Sequence, residues 1–187
     1  QTCAFPILER EGFEVSWITP GANGRVDAGQ VEAALLPHTV LVSLMHANNE
    51  TGVVNDVAAV GALCRSRGLP FHVDAAQSAG KVPLDAAAIG ATLLSFCSHK
   101  LGGPKGVGAL CLARQPRPLL QPLLYGGGHE GGLRPGTLPT PLIAGFGLAC
   151  ERVGQSLAAE ATRVAGLRER LWDALQPAAP LWRNGVA

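Results

Sequence analysis

From residue 13 to residue 112, short apolar runs alternate with stretches whose apolar residues recur every three or four positions. Phe13, Val15 and Trp17 alternate with Glu14 and Ser16, the period-two signature of a half-buried strand over 13–18. Asp27 precedes Gln30 by three positions, a capping-box spacing. Val31 and Leu35 then form an apolar stripe that Pro37 ends. Residues 40–45 are nearly all apolar, which predicts a strand covered on both faces. Asp56 can cap a helix with the stripe Val57, Val60, Leu63 and Cys64, with Gly68 following it. Residues 71–74, 92–96 and 107–112 read as three further strands. Thr140 and Pro141 open a long helix. Leu142, Phe146, Ala149 and Val153 lie at helical spacing, and Val164, Leu167, Leu171 and Leu175 hold one face farther on.

Strands alternating with helices predict an α/β fold with a mainly parallel sheet, flanked by helices and joined by right-handed crossovers. Ligand sites in such sheets lie at the carboxyl ends of the strands. The polar clusters fall there: Asn48–Glu50, Asp74–Gln77 and Cys97–Lys100 each follow a predicted strand.

Composition narrows the function classes. The 187 residues are 47% hydrophobic and 16% charged with a net charge of +1, which excludes a disordered chain and gives no broad field for nucleic acid or a membrane surface. Gly and Pro, 24 and 14 residues, follow no period of three, so they mark turns and not a collagen helix. No apolar run reaches the ~18 residues of a membrane span. The five cysteines (3, 64, 97, 111 and 150) are odd in number, widely spaced and without a CxxC pair. That argues against a disulfide scaffold and a zinc site, and for a reducing compartment. The opening QTCAFPILEREG lacks a basic region and an initiating Met. The expectation is a cytoplasmic protein without a signal peptide, cut at both ends.

Four clusters carry candidate chemistry. In SFCSHK, Lys100 follows Ser98 and His99 at a strand end, before a Gly-Gly-Pro turn. Such a lysine can form a Schiff base if its pKa is depressed; it can equally be a solvated loop residue. In HVDAAQSAGK, Asp74 could hold a protonated pyridine nitrogen, or merely cap a short helix. In SLMHANNETG, Asn49 could donate to a ring oxygen, though consecutive Asn residues before Gly are ordinary turn formers. His46 and Glu50 could be catalytic or simply satisfied rim residues. In YGGGHEGGLRPGT, six glycines in thirteen residues can form a backbone nest for an anion, with Arg134 and Thr137 offering side-chain contacts to phosphate. The Gly-Lys-Ser/Thr ending of a P-loop is absent.

Together, HVDAAQSAGK, SFCSHKLGGPKGVGAL, GGGHEGGLRPGTLP and MHANNETG, in this order and without gaps, resemble the NifS/IscS-type cysteine desulfurases within the class V aminotransferases of fold type I. The resemblance covers essentially the whole chain and about the middle half of a full family member. It implies the large domain of fold type I, binding pyridoxal phosphate (PLP) and incomplete at both ends. Residues 1–150 would belong to that domain, and 151–187 to a helix leading toward a small C-terminal domain. It implies that Lys100 is the Schiff-base lysine, that Asp74 pairs with the pyridine nitrogen, and that Gln77 hydrogen-bonds the ring hydroxyl. Asn49 would contact the ring side, Cys97 and His99 the phosphate, and Thr137 the phosphate in a neighbouring subunit, which implies a homodimer. His46 and Lys100 are the catalytic candidates, and no metal is expected.

The sequence departs from the family pattern at two positions. Cys97 stands where the family usually has Ser or Thr, and a thiol is the poorer donor. Gly131 stands where it usually has Arg. The ring-stacking His, the nucleophilic Cys and the Arg that grips the substrate carboxylate are expected outside these residues, so the chain alone is expected to be inactive. The implied activity of the whole protein is conversion of L-cysteine to L-alanine, the sulfur passing as a persulfide to acceptors such as iron–sulfur scaffold proteins. A selenocysteine lyase, another class V enzyme, or a non-catalytic fragment acting as a binding module remain alternatives.

Overall fold

The computed structural model describes residues 5–114, 120–178 and 180–185. Its elements run α1 (Phe5–Arg10), α2 (Ala28–Ala34), β1 (Val42–Met45), α3 (Val57–Ser66), β2 (Phe71–Asp74), α4 (Ala86–Ile89), β3 (Leu93–Cys97), β4 (Gly108–Leu112) and α5 (Thr140–Leu175). Two single-turn 3-10 helices, Ser98–Leu101 and Glu130–Gly132, interrupt the loops.

The four strands lie in chain order across one sheet. β1, β2 and β3 are parallel, joined through the α3 and α4 crossovers. β4 runs antiparallel to β3. β4 returns antiparallel because the link from β3 is a short loop with no crossover helix. The mainly parallel sheet flanked by helices is thus the one expected.

Capping chemistry sets the helix starts. Asp27 Oδ1 accepts from the backbone N–H of Gln30 at 2.8 Å, and Gln30 Oε1 accepts from that of Asp27 at 3.0 Å. This is the reciprocal pair that the spacing predicts. Asp56 Oδ1 likewise accepts from Ala59 N–H at 3.0 Å.

The core lies on one face of the sheet. Phe71, Val73, Val42 and Leu94 from the strands meet Val57, Val60 and Cys64 from α3, with Val31 and Ile89 at the sides. Phe71 and Val73 are fully buried, each contributing about 1.5–3 kcal/mol relative to exposure. Gly61 lets α3 approach α4: a Cβ there would stand 1.8 Å from the Ile89 carbonyl oxygen.

One predicted strand does not form. Residues 13–18 have the alternation but pair with no neighbour among the described residues. Instead Trp17 stacks edge-on against Phe5, with ring centroids 5.6 Å apart, and donates through Nε1 to Glu9 Oε1 at 3.0 Å. The alternating side chains find an aromatic partner in α1 where the backbone finds no sheet edge.

Candidate functional site at the strand ends

Alternation along the strands sends Phe71 and Val73 into the core, and therefore His72 and Asp74 to the opposite face. By register, Ser43 and Met45 of β1 and Ser95 and Cys97 of β3 share that face. A side-chain bridge crosses it. Ser43 Oγ lies 2.8 Å from His72 Nδ1, and His72 Nε2 lies 3.0 Å from Ser95 Oγ. Burial pushes the pKa of His72 below its ordinary value, against the upward pull of the Asp74 charge.

The carboxyl ends of β1 and β2 are fastened to each other. His46 donates its backbone N–H to the Asp74 carbonyl at 2.9 Å, and Ala75 donates to Ser95 at 2.8 Å. Asp74 Oδ1 accepts from Ala76 N–H at 2.9 Å, while Oδ2 has no partner among the described residues. Gln77 Oε1 accepts from Lys81 Nζ at 3.1 Å, which leaves its NH2 group to donate elsewhere. The His46 side chain is buried at 7% exposure, with Nδ1 unpartnered among the described residues. Burial lowers its pKa, so the ring is held neutral.

β3 ends at Cys97, and the Ser98–Leu101 turn follows at once, closed by Gly102 at φ +79°. The turn exposes His99 and Lys100 and buries Ser98. Cys97 Sγ lies 3.9 Å from His99 Nε2. Backbone contacts and register therefore bring His46, Asp74, Cys97, His99 and Lys100 to one edge of three consecutive parallel strands.

The remaining candidates lie outside this hydrogen-bonded set. Asn48 is the turn former: its Oδ1 accepts from the N–H groups of Glu50 and Thr51 at 2.9 and 3.0 Å. Asn49 beside it is exposed. The glycine-rich loop places Gly126, Gly127, Gly128, Gly131, Gly132 and Gly136 at positive φ, the left-handed region that suits glycine. Glu130 joins them at φ +51°. Arg134 donates to the Gly136 carbonyl at 3.0 Å, and Thr137 is exposed. Thr137 shares no hydrogen bond with the strand-edge cluster among the described residues.

Sequence reasoning missed the bridging trio Ser43, His72 and Ser95. The period-two alternation that sends Phe71 and Val73 inward also assigns His72 to the face of Asp74, whereas Ser43 and Ser95 join it only through the strand register.

The class V aminotransferase family model matches residues 2–181. The chain belongs to the class V aminotransferase family. It is 48% identical over 178 residues to the cysteine desulfurase IscS of Escherichia coli, covering 95% of this chain and 44% of that protein. The chain thus spans less than half the length of the curated relatives it matches. Among solved structures it is similar to DndA from Streptomyces lividans, with a TM-score of 0.89 and 41% identity, over 97% of this chain and 51% of that one. It is also similar to a structure described as SspA in complex with cysteine, with a TM-score of 0.76 and 44% identity, over 79% of this chain and 43% of the other. The mainly parallel sheet of this class V chain is also the fold of the apo cysteine desulfurase of Thermococcus onnurineus NA1, with a TM-score of 0.80 and 24% identity over 92% of this chain and 47% of that one.

Two further facts bear on this class V chain. Among the described residues, no group of three or more His, Cys, Asp and Glu is placed to hold a metal ion. No described helix is long and apolar enough to cross a membrane.

Proposed function

We propose that the protein carrying this chain is a PLP-dependent cysteine desulfurase that converts L-cysteine to L-alanine. The sulfur passes as a persulfide to acceptor proteins for iron–sulfur cluster assembly. The observation that carries this reading is the convergence of His46, Asp74 and Cys97–Lys100 on one strand edge, in a chain 48% identical to a cysteine desulfurase.

The residues fit PLP. A pyridinium N–H needs a carboxylate oxygen, and Asp74 Oδ2 has no partner among the described residues while Oδ1 is fixed by Ala76. When bound, PLP supplies an electron-withdrawing ring that stabilises negative charge at the substrate's α-carbon. Asp74 holds the proton on the ring nitrogen and so maintains that withdrawal. Gln77 donates its NH2 group to the ring hydroxyl oxygen, and Asn49 contacts the ring side. Cys97 and His99 contact the phosphate.

Lys100 holds the cofactor through its amine and moves the substrate's α-proton; an amine needs its neutral form for both tasks. His46, neutral and buried at the same edge, is the second acid–base group. Thr137 reaches the phosphate in a neighbouring subunit, which makes the protein a homodimer. Residues 1–150 form part of the large domain, and 151–187 lead toward the small one. Four free cysteines among the described residues support a cytoplasmic setting.

The test is a PLP titration of the full-length protein that carries this chain, followed by addition of L-cysteine and a reductant. The expected results are a visible absorbance band on binding and equal amounts of alanine and sulfide on turnover. Absence of both overturns the reading.

A further inference from the structure

We propose that the Ser43–His72–Ser95 bridge is a positioning device for Asp74, with His72 acting on the cofactor only through that carboxylate. The inference rests on the reading of Asp74 as the group that holds the ring nitrogen.

The bridge ties the three parallel strands together by side chains, in addition to their backbone ladder. Ser43 and His72 are register partners on β1 and β2. Ser95 is the register partner of Asp74, yet its hydroxyl meets His72 diagonally, 3.0 Å from Nε2. His72 thus grips the residue on β3 that flanks Asp74, from the position one step below Asp74 on the same face. A polar trio in the middle of a sheet is a poor way to gain stability, since apolar side chains of similar size bury without needing partners. What the trio adds is fixed geometry: both ring nitrogens are engaged, so the imidazole cannot rotate without losing a hydrogen bond.

The protonation state serves the same end. A neutral imidazole offers one donor and one acceptor, and two hydroxyls can satisfy both. A cationic His72 would face Asp74 with a full positive charge and draw the carboxylate away from the ring nitrogen. Burial pushes the imidazole toward its neutral form, the form that the two flanking hydroxyls can satisfy. His72 is therefore a positioning residue.

The experiment has two arms. The first uses imidazole nitrogen chemical shifts in the PLP-free protein. Ser43→Ala should shift the His72 Nδ1 resonance and Ser95→Ala the Nε2 resonance; unmoved resonances in both variants overturn the bridge. The second measures PLP affinity by visible absorbance. His72→Leu should weaken binding by about tenfold, because a carboxylate no longer held in place loses about one hydrogen bond's worth of grip on the ring nitrogen. His72→Gln, whose amide also offers a donor and an acceptor, should stay within about threefold of the original protein. In an Asp74→Asn background, His72→Leu should cost less than about threefold, because its effect runs through the lost carboxylate. Unchanged affinity in His72→Leu, or a full loss persisting beside Asp74→Asn, overturns the positioning role. If the unaltered protein binds no PLP while the nitrogen shifts move as described, the cofactor reading itself has failed and the role falls with it.

Discussion

His46 and Asp74 are joined main chain to main chain: the His46 N–H donates to the Asp74 carbonyl at 2.9 Å. The link extends the β1–β2 ladder one residue past the end of β1. It fastens the residue that follows β1 to the residue that ends β2. Neither side chain enters the bond, so substitutions at both positions test chemistry without removing this fastening.

Asp74→Asn should leave the fold intact. The amide oxygen can still accept from Ala76 N–H, as Asp74 Oδ1 does at 2.9 Å. The electronic role should fail, because a neutral amide cannot hold a pyridinium proton. Alanine production should fall by a factor of about a hundred or more, in the range of losing one ion-paired electrostatic contact in an active site. Far-UV circular dichroism should be unchanged. Turnover equal to that of the unaltered protein would show that Asp74 only shapes the turn.

Lys100→Ala should abolish the covalent attachment of PLP. Borohydride reduction followed by peptide mapping should locate the cofactor on Lys100 in the unaltered protein. Lys81 already hydrogen-bonds Gln77 at 3.1 Å, and Lys105 lies outside the Ser98–Leu101 turn. Finding the label on either would displace the assignment.

Cys97→Ser should tighten PLP binding by about three- to tenfold. A hydroxyl replaces a weak thiol donor, and one ordinary hydrogen bond is worth about 0.5–1.5 kcal/mol. The comparison is of dissociation constants for the two proteins. Weaker binding in the serine variant would remove Cys97 from the phosphate contacts.

Acid should destabilise the fold through its buried imidazoles. Burial holds His46 and His72 below their ordinary value of 6.5. Just below that pH the unfolded chain binds protons that the folded chain refuses. Their contribution is therefore complete above pH 6.5 and is lost as pH falls toward the lowered folded values. Urea midpoints should drop between about pH 7.5 and pH 5.5, and His72→Gln should flatten the drop. An identical drop in that variant removes His72 from the effect.

Gly61→Ala should destabilise the protein by at least about 1–3 kcal/mol, the usual range for overpacking. The added methyl would stand 1.8 Å from a backbone oxygen of Ile89, which no rotamer change can relieve. A urea midpoint equal to that of the unaltered protein would refute the close approach of α3 to α4.

Much of this architecture was legible in residue patterns. Strand β2 matches the predicted run 71–74, because four residues between turn signals leave little choice. The capping box at Asp27 and Gln30 was readable because it is local. Two features were not. The alternation over 13–18 carries no information about whether a sheet edge waits beside it. The direction of β4 depends on loop length and not on the strand's own residues. In the candidate site, Lys100, Asp74 and His46 could be placed from strand ends and motif order. The bridge through His72 joins residues whose sequence separations are 29 and 23, and only the strand register brings them together.

The antiparallel return of β4 has a kinetic consequence. Only residues 98–107 separate the paired Cys97 and Gly108, and Lys100 lies within that loop. The β1–β2 pairing must instead close the chain from Ser43 to His72 around α3. Short loops close in about 10–100 ns and hairpins in microseconds, whereas parallel pairing waits for its crossover. The lysine turn therefore belongs to the segment of lowest contact order in the sheet, able to assemble before the strands that deliver Asp74 and His46 find their register.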